Sequence, residues 1–231
     1  MNLIGQNAKK ASLEKINTKL KNKILKRYIS LLNKEQNSII KENTKDLKFA
    51  LKKKLKKNLI DRLTINHNKL DTIKASINKI IKLKDPIDNT LEQWNRPNGL
   101  RIKRVSIPIG VIGVIYESRP NVTSDVASLC FKSGNAVILK GGSEAINTNK
   151  ILAKLFRKAL KENKVNENFI QFVDSKKRKM VDYMLSKMED HIDVIIPRGG
   201  KNLVKRVQEF STVPIIGHLE GLCHTFVDKD A

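Results

Sequence analysis

The chain has 231 residues, of which 46 are Lys or Arg and 23 are Asp or Glu, giving a formal net charge of +23; this length is enough for one large α/β domain or two small ones. Two cysteines exclude a disulfide framework and a four-thiolate zinc site and favour a reducing compartment, and the four histidines show no metal-binding spacing. The N-terminus lacks the apolar core of a signal peptide and the longest apolar run is too short to span a bilayer, so we expect a cytoplasmic protein with no membrane contact.

The basic charge raises the question of nucleic-acid binding. Phosphate attraction would supply the affinity, but only ten of the 46 basic residues are arginine, the usual residue for bidentate contacts with bases and phosphates. Lysine is abundant together with Asn and Ile, a bias that suggests a genome rich in A and T. We therefore interpret the lysines as solvent-facing positions and expect no nucleic-acid partner.

Residues 1–94 are predicted to form a helical region whose last helix ends before Pro86. The run "LKKKLKKNLIDRL" has a leucine every fourth residue, which predicts one helix with a single buried stripe. With no Gly-rich loop and no ligand partners for its histidine, the region is assigned to packing rather than chemistry. Mostly apolar residues at three- and four-residue steps mark three further helices: Ile16, Leu20, Ile24, Tyr28, Leu31; Ile39, Ile40, Asn43, Leu47; and Leu70, Ile73, Ile77, Ile80, Ile81.

Residues 95–109 change to a two-residue apolar period, which predicts a strand that is an edge or an oligomer contact. Residues 110–231 then alternate strands with helices. The all-apolar "VIGVIYE" and "AVILK" predict strands buried on both faces, followed by "IQFVD", "IDVIIP", "VPII" and "HTFVD". This alternation predicts an α/β fold with a doubly wound parallel sheet.

Two Gly-Gly pairs follow buried strands of this region, in "VILKGGSEA" and "VIIPRGGKNLV". Ligands of open α/β sheets bind beyond the carboxyl ends of the strands, where helix N-termini present free N–H groups. Each pair stands beside a cation, which suits a phosphorylated ligand, although neither matches a dinucleotide fingerprint or a P-loop. A lone Gly-Gly is more often an ordinary connection; we expect these two to lie at neighbouring strand ends and to act together.

A third strand end carries "YESRPNVTSDVASLC". Arg119 lies there in a loop on the ligand side of the sheet, where it would either pair with Glu117 or Asp125 or hold an anionic substrate by bidentate contact. Cys130 falls on the apolar side of the following helix and is predicted to be a buried, inert thiol.

These stretches together resemble the γ-glutamyl phosphate reductase family (glutamate-5-semialdehyde dehydrogenase), part of the aldehyde dehydrogenase superfamily. The resemblance rests on "IPIGVIGVIYESRPNVTSDVASLCFKSGNAVILKGGSEAINTN", "IDVIIPRGG" and "LIDRLTINHNKLDTIKASINKIIKLKDPI". It implies an aldehyde-dehydrogenase-like fold, with a Rossmann-like parallel sheet and dinucleotide-binding domain over residues 110–231 behind the N-terminal helices. The catalytic domain would lie outside this chain.

The resemblance also assigns site residues. Lys140 would contact the adenosine ribose of the cofactor, and Ser143, where NAD-using relatives often have an acid, would tolerate the 2′-phosphate of NADPH. Ser118 or Asn121 would be the oxyanion donor, and Arg119 a substrate-binding residue. The remaining cofactor-binding residues implied are Gly141, Gly142, Arg198, Gly199 and Gly200.

The implied reaction is NADPH-dependent reduction of L-glutamyl 5-phosphate to L-glutamate 5-semialdehyde in proline biosynthesis, through attack by a cysteine thiolate. Cys223 resembles a cysteine that precedes the nucleophile, and it lacks a nearby cation or helix N-terminus to lower its pKa. The nucleophile is therefore expected beyond residue 231. A homo-oligomer and a functional association with glutamate 5-kinase are also implied.

Two other functions remain open at this point. Residues 1–100 would form a basic nucleic-acid-binding module only if Arg or aromatic residues were interleaved with the lysines, and few are. The chain would alternatively be a remnant that binds NADPH and catalyses nothing, which predicts nucleotide binding without turnover.

Overall fold

Four parallel strands form the central sheet of the computed structural model, which describes residues 1–117, 119–217 and 226–229. The strands that predicted burial on both faces lie at its centre, and every residue of the first two is buried. The doubly wound parallel sheet predicted from the βα alternation is thereby confirmed. Its strands are β3 (Val111–Tyr116), β4 (Ala136–Lys140), β5 (Ile170–Phe172) and β6 (Val194–Arg198), and β1 (Thr90–Asn95) and β2 (Arg101–Val105) form a separate hairpin.

The strand order is β5-β4-β3-β6. The chain moves outward from β3 through β4 to β5, then crosses back to place β6 on the other side of β3. The strand order therefore reverses between β3 and β6, where Tyr116 pairs with Arg198 at the carboxyl ends. A crevice at such a reversal is the usual ligand site of an open α/β sheet.

Helices cover the sheet. The crossovers from β3 to β4 and from β4 to β5 carry α6 (Asn121–Lys132) and α7 (Ile146–Glu162), which contact each other. The return crossover carries α8 (Lys179–Ser186), and α9 (Lys201–Phe210) follows β6. The first helix of the chain, α1 (Asn2–Ser12), packs against β3, β4 and β5.

The predicted N-terminal helices are present as α2 (Thr18–Lys34), α3 (Gln36–Lys52) and α5 (His67–Lys82). Asparagine side chains at the N-caps of α2 and α5 accept hydrogen bonds from the first turn, which fixes where these helices begin.

The leucine run that predicted one helix is broken. The helix α3 ends at Lys52, Lys54 adopts φ +52°, and a short α4 (Lys57–Leu63) follows. The break lets α4 fold back so that Leu63 packs with Ala50 and Ala145, while Leu51 is left exposed. A tertiary contact has overridden the local helical period.

One core joins the N-terminal helices to the sheet layer. The ring centroids of Tyr28 on α2 and Phe156 on α7 are 4.6 Å apart, and Phe131 on α6 contacts both Phe156 and Phe169 edge-on. The hydroxyl groups of Tyr28 and Ser124 are 2.7 Å apart and share a hydrogen bond. The shared core fixes α5 relative to the sheet, and the smaller cluster of Leu63 with Ala50 and Ala145 holds α4.

The segment expected as a strand over residues 95–109 belongs to a hairpin. Strand β1 (Thr90–Asn95) pairs antiparallel with β2 (Arg101–Val105), so the extended region begins ahead of residue 95. The turn uses Gly99 at φ +84°, a conformation that favours glycine. Among the residues that the structure describes, the hairpin does not pair with the central sheet.

The last predicted elements are only partly described. "VPII" contributes one bridge between Ile215 and Ile195 instead of a strand. Of the predicted strand at residues 224–228, residues 226–228 are described and form no strand, whereas residues 224–225 lie outside the described residues. No helix of the described ranges is long and apolar enough to cross a membrane.

Candidate functional site

The crevice between the carboxyl ends of β3 and β6 holds a cavity of about 320 Å³. The second Gly-Gly pair forms one wall at the start of α9, as expected for a loop that follows a buried strand. The N-terminal helix α4 contributes Leu59 and Arg62 to the lining. The lining residues are Leu59, Arg62, Glu117, Arg119, Arg198, Gly199 and Gly200.

The N-terminus of α9 already binds a carboxylate. Oε2 of Glu117, the first residue after β3, accepts a hydrogen bond of 3.0 Å from the backbone N–H of Gly200. A Cβ atom at Gly199 would lie 2.6 Å from the same oxygen, so glycine leaves the space that the carboxylate fills. The free N–H groups and dipole of a helix N-terminus favour an anion at this place.

A second cavity of about 420 Å³ lies between α5 and the start of α6. Arg62 and Arg119 line both cavities, so they mark the boundary between the two. The other residues that line the second cavity are Lys69, Thr72, Ile73, Ser76, Asn121 and Asp125.

The substrate-side residues predicted from the sequence converge on this second cavity. Asn121 is the first residue of α6, and its Nδ2 donates a hydrogen bond of 3.1 Å to Oδ2 of Asp125, one turn later. Across the described ranges, the Arg119 side chain forms no ion pair with Glu117 or Asp125, which were its two alternative partners. Ser118, the other candidate oxyanion donor, lies outside the described residues.

The first Gly-Gly pair has a different setting. The two pairs were expected at neighbouring strand ends, but β3 lies between β4 and β6. Residues 140–143 line neither cavity. A Cβ atom at Gly141 would collide with the side-chain amide of the buried Asn149 and approach the Tyr116 ring at 3.1 Å. This glycine therefore serves close packing, and the role of residues 140–143 in cofactor binding stays a prediction.

Lys140 is buried at the end of β4, and its Nζ donates a hydrogen bond of 2.8 Å to the carbonyl of Gly141. Burial lowers the pKa of Lys140 from its usual value, and the negative charge of Glu144 offsets part of that effect. The Glu144 carboxylate also lies over Gly142, where a Cβ atom would collide with it. An acid thus lies beside Ser143, which the sequence interpretation did not anticipate.

The helix after this loop, α7, has its N-terminus bound from another element. The buried Asp46 of α3 accepts hydrogen bonds from the backbone N–H groups of Asn147 and Thr148 and from both of their side chains. Asn43, one turn earlier, donates to Thr148 Oγ1 at 3.1 Å. The N–H groups at this end of α7 are therefore already hydrogen-bonded to a carboxylate of the protein itself.

Sequence reasoning missed Arg62 and Lys69. Both belong to the region assigned to packing, yet they line the cavities described above. The available signal was weak: Arg62 is an arginine among lysines, in a run whose leucine spacing drew attention to packing alone. The break before α4, which turns Arg62 toward the sheet, has no clear signature in the sequence.

Cys130 is buried, as predicted, and burial raises its pKa to about 12. It is therefore unsuited to nucleophilic attack, which requires the thiolate. Cys223 lies outside the described residues. Across residues 1–117, 119–217 and 226–229, no group of three or more His, Cys, Asp or Glu side chains is arranged to hold a metal ion.

Comparison with known proteins gives a consistent family. The sequence profile of the Aldehyde dehydrogenase family matches residues 4–231. The chain is 44% identical to the γ-glutamyl phosphate reductase of Thermodesulfovibrio yellowstonii, over 98% of this chain and 54% of that protein. It is 41% identical to that of Aquifex aeolicus, again over 54% of the relative. The chain spans about half the length of the curated relatives it matches.

Solved structures agree. The γ-glutamyl phosphate reductase of Thermotoga maritima superposes with a TM-score of 0.90 at 36% identity, over 93% of this chain and 52% of that one. The Saccharomyces cerevisiae enzyme gives 0.85 at 30% identity, over 95% of this chain and 56% of that one. A probable aldehyde dehydrogenase from Listeria monocytogenes, at 17% identity and a TM-score of 0.69, shares the fold. The chain belongs to the aldehyde dehydrogenase family.

Proposed function

We propose that this chain is the NADPH-binding part of an enzyme that reduces L-glutamyl 5-phosphate to L-glutamate 5-semialdehyde and releases phosphate, a step of proline biosynthesis. The relatives named γ-glutamyl phosphate reductase support the reaction. One structural observation carries the proposal: the crevice at the reversal of strand order adjoins a cationic cavity, and Arg119 lines both.

The family implies a nicotinamide cofactor, and the crevice fits its pyrophosphate. At the helix N-terminus there, the Gly200 N–H donates to a carboxylate oxygen, which is the contact that a phosphate oxygen would accept. Among the described residues, a Cβ atom at Gly200 would meet only Glu117 Oε2, at 3.8 Å, so the backbone is open to close approach. The pyrophosphate would replace the Glu117 carboxylate at this position, and Arg198 would add a positive charge. When bound, the cofactor supplies the hydride.

The second cavity fits the acyl phosphate. Arg119 would hold an anionic group of the substrate by bidentate contact. Asn121 has two side-chain N–H groups, and Asp125 engages one of them, which orients the amide. The other N–H would face the carbonyl oxygen and stabilise the negative charge that develops there during attack. Asp125 thus acts on the reaction through the orientation of Asn121.

NADPH is proposed over NADH for two reasons. Ser143 stands where an acid would repel a 2′-phosphate, and Lys140, at the start of the same loop, carries a positive charge that would attract it. Glu144 opposes this preference, since its carboxylate lies over the same loop. The preference therefore depends on Lys140 outweighing Glu144, and it is the part of the proposal most open to measurement.

The test uses two assays. Isothermal titration of the 231-residue chain with NADPH and NADH is expected to give binding that is about tenfold tighter for NADPH, equivalent to about 1.4 kcal/mol. The polypeptide as the cell makes it is expected to oxidise L-glutamate 5-semialdehyde with NADP⁺ and phosphate, the reverse reaction. Nucleotide binding without turnover in the native polypeptide would leave a cofactor-binding remnant, and absence of nucleotide binding would refute the proposal.

We also propose that the chain assembles as a homo-oligomer through the β1–β2 hairpin and associates functionally with glutamate 5-kinase. The hairpin supports the first proposal because it leaves large apolar side chains exposed. Light scattering on the native polypeptide and on a variant with charged hairpin residues tests it, since the variant should be monomeric. The exposed apolar side chains are those of Leu91, Trp94, Leu100 and Val105.

A further inference from the structure

The N-terminal helices contribute cations to the candidate site. Arg62 lies near the end of α4, and Lys69 lies on the first turns of α5. Thr72, Ile73 and Ser76 follow Lys69 at helical steps of three and four, so a single face of α5 lines the second cavity. Because α5 is fixed to the sheet layer through its contacts with α6, this face has a defined position over Asn121.

The charges around this cavity are unbalanced. Three of its lining residues are cations, and Asp125 is the one lining carboxylate. Asp125 already accepts a hydrogen bond from Asn121. Lys69 Nζ donates to the backbone carbonyl of Asp61, which is neutral. Within the described part of the chain, neither Arg62 nor Arg119 has a carboxylate partner. Converging cations without counter-ions favour a bound anion.

We propose that Arg62 and Arg119 together bind the phosphoryl group of the acyl phosphate substrate, and that Lys69 binds the carboxylate at the other end of the same molecule. This inference rests on the proposed function. Arg62 and Arg119 stand at the boundary between the cavities, which is where the reacting carbon has to meet the cofactor. Lys69 lines the second cavity alone, away from that boundary.

The chemistry requires a cationic group at the phosphoryl end. As an enzyme thiolate forms a bond to the acyl carbon, the bond from that carbon to the phosphate oxygen breaks, and its electron pair leaves with the phosphate. Negative charge therefore builds up on the phosphate oxygens in the transition state. Two guanidinium groups offer planar, bidentate contacts to those oxygens and stabilise this charge.

The experiment measures inorganic phosphate binding to the 231-residue chain saturated with NADP⁺, so that the cofactor site is filled. Titration calorimetry or ³¹P line broadening gives the affinity. Arg62→Ala and Arg119→Ala are each expected to weaken phosphate binding at least tenfold. Lys57→Ala, on the same helix as Arg62 but outside both cavities, is the matched control and should stay within twofold of the parent.

A second titration separates the two ends of the substrate. Lys69→Ala is expected to weaken L-glutamate binding at least fivefold and to leave phosphate binding within twofold. Arg62 is exposed, so its variants should retain the parental circular dichroism spectrum. Arg62→Lys provides an additional variant; it keeps the charge, loses the bidentate geometry and should give an intermediate phosphate affinity.

The outcomes distinguish this inference from the function on which it rests. Binding of NADP⁺ with no phosphate binding, or with phosphate binding that Arg62→Ala leaves unchanged, would overturn the inference and keep the proposed function. A chain that binds no NADP⁺ but binds phosphate in an Arg62-dependent manner would overturn the proposed function and keep the anion site.

Discussion

The two Gly-Gly loops of this chain share a sequence pattern and differ in structure. At residues 141–142 the glycines allow close packing, and the N-terminus of the following helix is bound by the buried Asp46 from another helix. At residues 199–200 the loop lines a cavity, and its helix N-terminus is bound by Glu117, an exposed side chain. Both helix N-termini bind a carboxylate, but only that of Glu117 is exposed enough for a ligand to displace it.

This difference separates structural from functional use of the same motif. A carboxylate that accepts several hydrogen bonds and is buried from solvent contributes to stability, because removing it leaves buried N–H groups without partners. A carboxylate held by one hydrogen bond at a solvent-exposed helix end contributes little to stability and is easily replaced by a ligand. The following predictions test whether the two loops differ in this way.

The largest effect is expected from Asp46→Ala. It removes the acceptor of the Asn147 and Thr148 N–H groups, and we expect a loss of about 3 kcal/mol in the free energy of unfolding. For a chain of this size that corresponds to a fall in Tm of about 6–12 °C in a thermal melt. Asp182→Ala removes an exposed carboxylate paired with Arg206 and is the control, with about 0.5 kcal/mol expected. Equal losses in the two variants would contradict a structural role for Asp46.

Alanine substitution of one glycine from each loop should give opposite results. Gly141→Ala is expected to cost about 2 kcal/mol in stability, since its methyl group meets the buried Asn149 amide and the Tyr116 ring. Gly200→Ala should leave the Tm unchanged but weaken NADPH binding about tenfold, because its methyl group would enter the pyrophosphate position. Thermal melts and NADPH titrations of both variants provide the comparison. A Gly200→Ala chain with parental NADPH affinity would remove this loop from the cofactor site.

Glu117→Gln tests whether the second anion competes with the cofactor. Removing its negative charge is expected to tighten NADPH binding about fivefold and to lower stability by about 0.5 kcal/mol or less. Glu209→Gln, at the far end of the same helix, is the control and should change neither quantity by much. Weaker NADPH binding in Glu117→Gln would instead indicate that the carboxylate contacts the bound cofactor favourably.

The smallest effect is expected at the first loop. Glu144→Gln removes the carboxylate beside Ser143, and we expect the ratio of NADPH to NADH affinity to rise about threefold, the equivalent of about 0.65 kcal/mol. Titration of both nucleotides measures this ratio, with Glu162→Gln at the other end of α7 as the control. If both nucleotides gain affinity equally, Glu144 acts on the charge of the whole cofactor and does not sense the 2′-phosphate.

Much of the fold was predictable from the sequence. The strands β3 and β4 are uniformly apolar, and the helices α2 and α5 have a clear period, because burial on fixed faces leaves a local pattern. The break between α3 and α4 was not predictable. It arises from the contact of Leu63 with Ala145, residues that are distant in the sequence.

The site was also predictable in part, because the ends of buried strands leave a local pattern in the sequence. Arg119 and Asn121 follow a recognisable strand end, and both line the second cavity. Strand order, however, is a property of the whole sheet, so the sequence did not reveal that β3 separates the two glycine loops. Nor did it reveal that Asp46 binds the N-terminus of α7, because that contact joins residues about a hundred positions apart.

The packing of α1 on the central sheet has a consequence for synthesis of the chain. This helix is translated before the sheet, but it covers β3, β4 and β5, the last of which ends at Phe172. At typical elongation rates of about 5–20 residues per second, the ribosome needs roughly 10–30 s to pass from α1 to the end of β5. Until those strands are complete, the apolar face of α1 lacks part of its native contacts and stays exposed in the nascent chain.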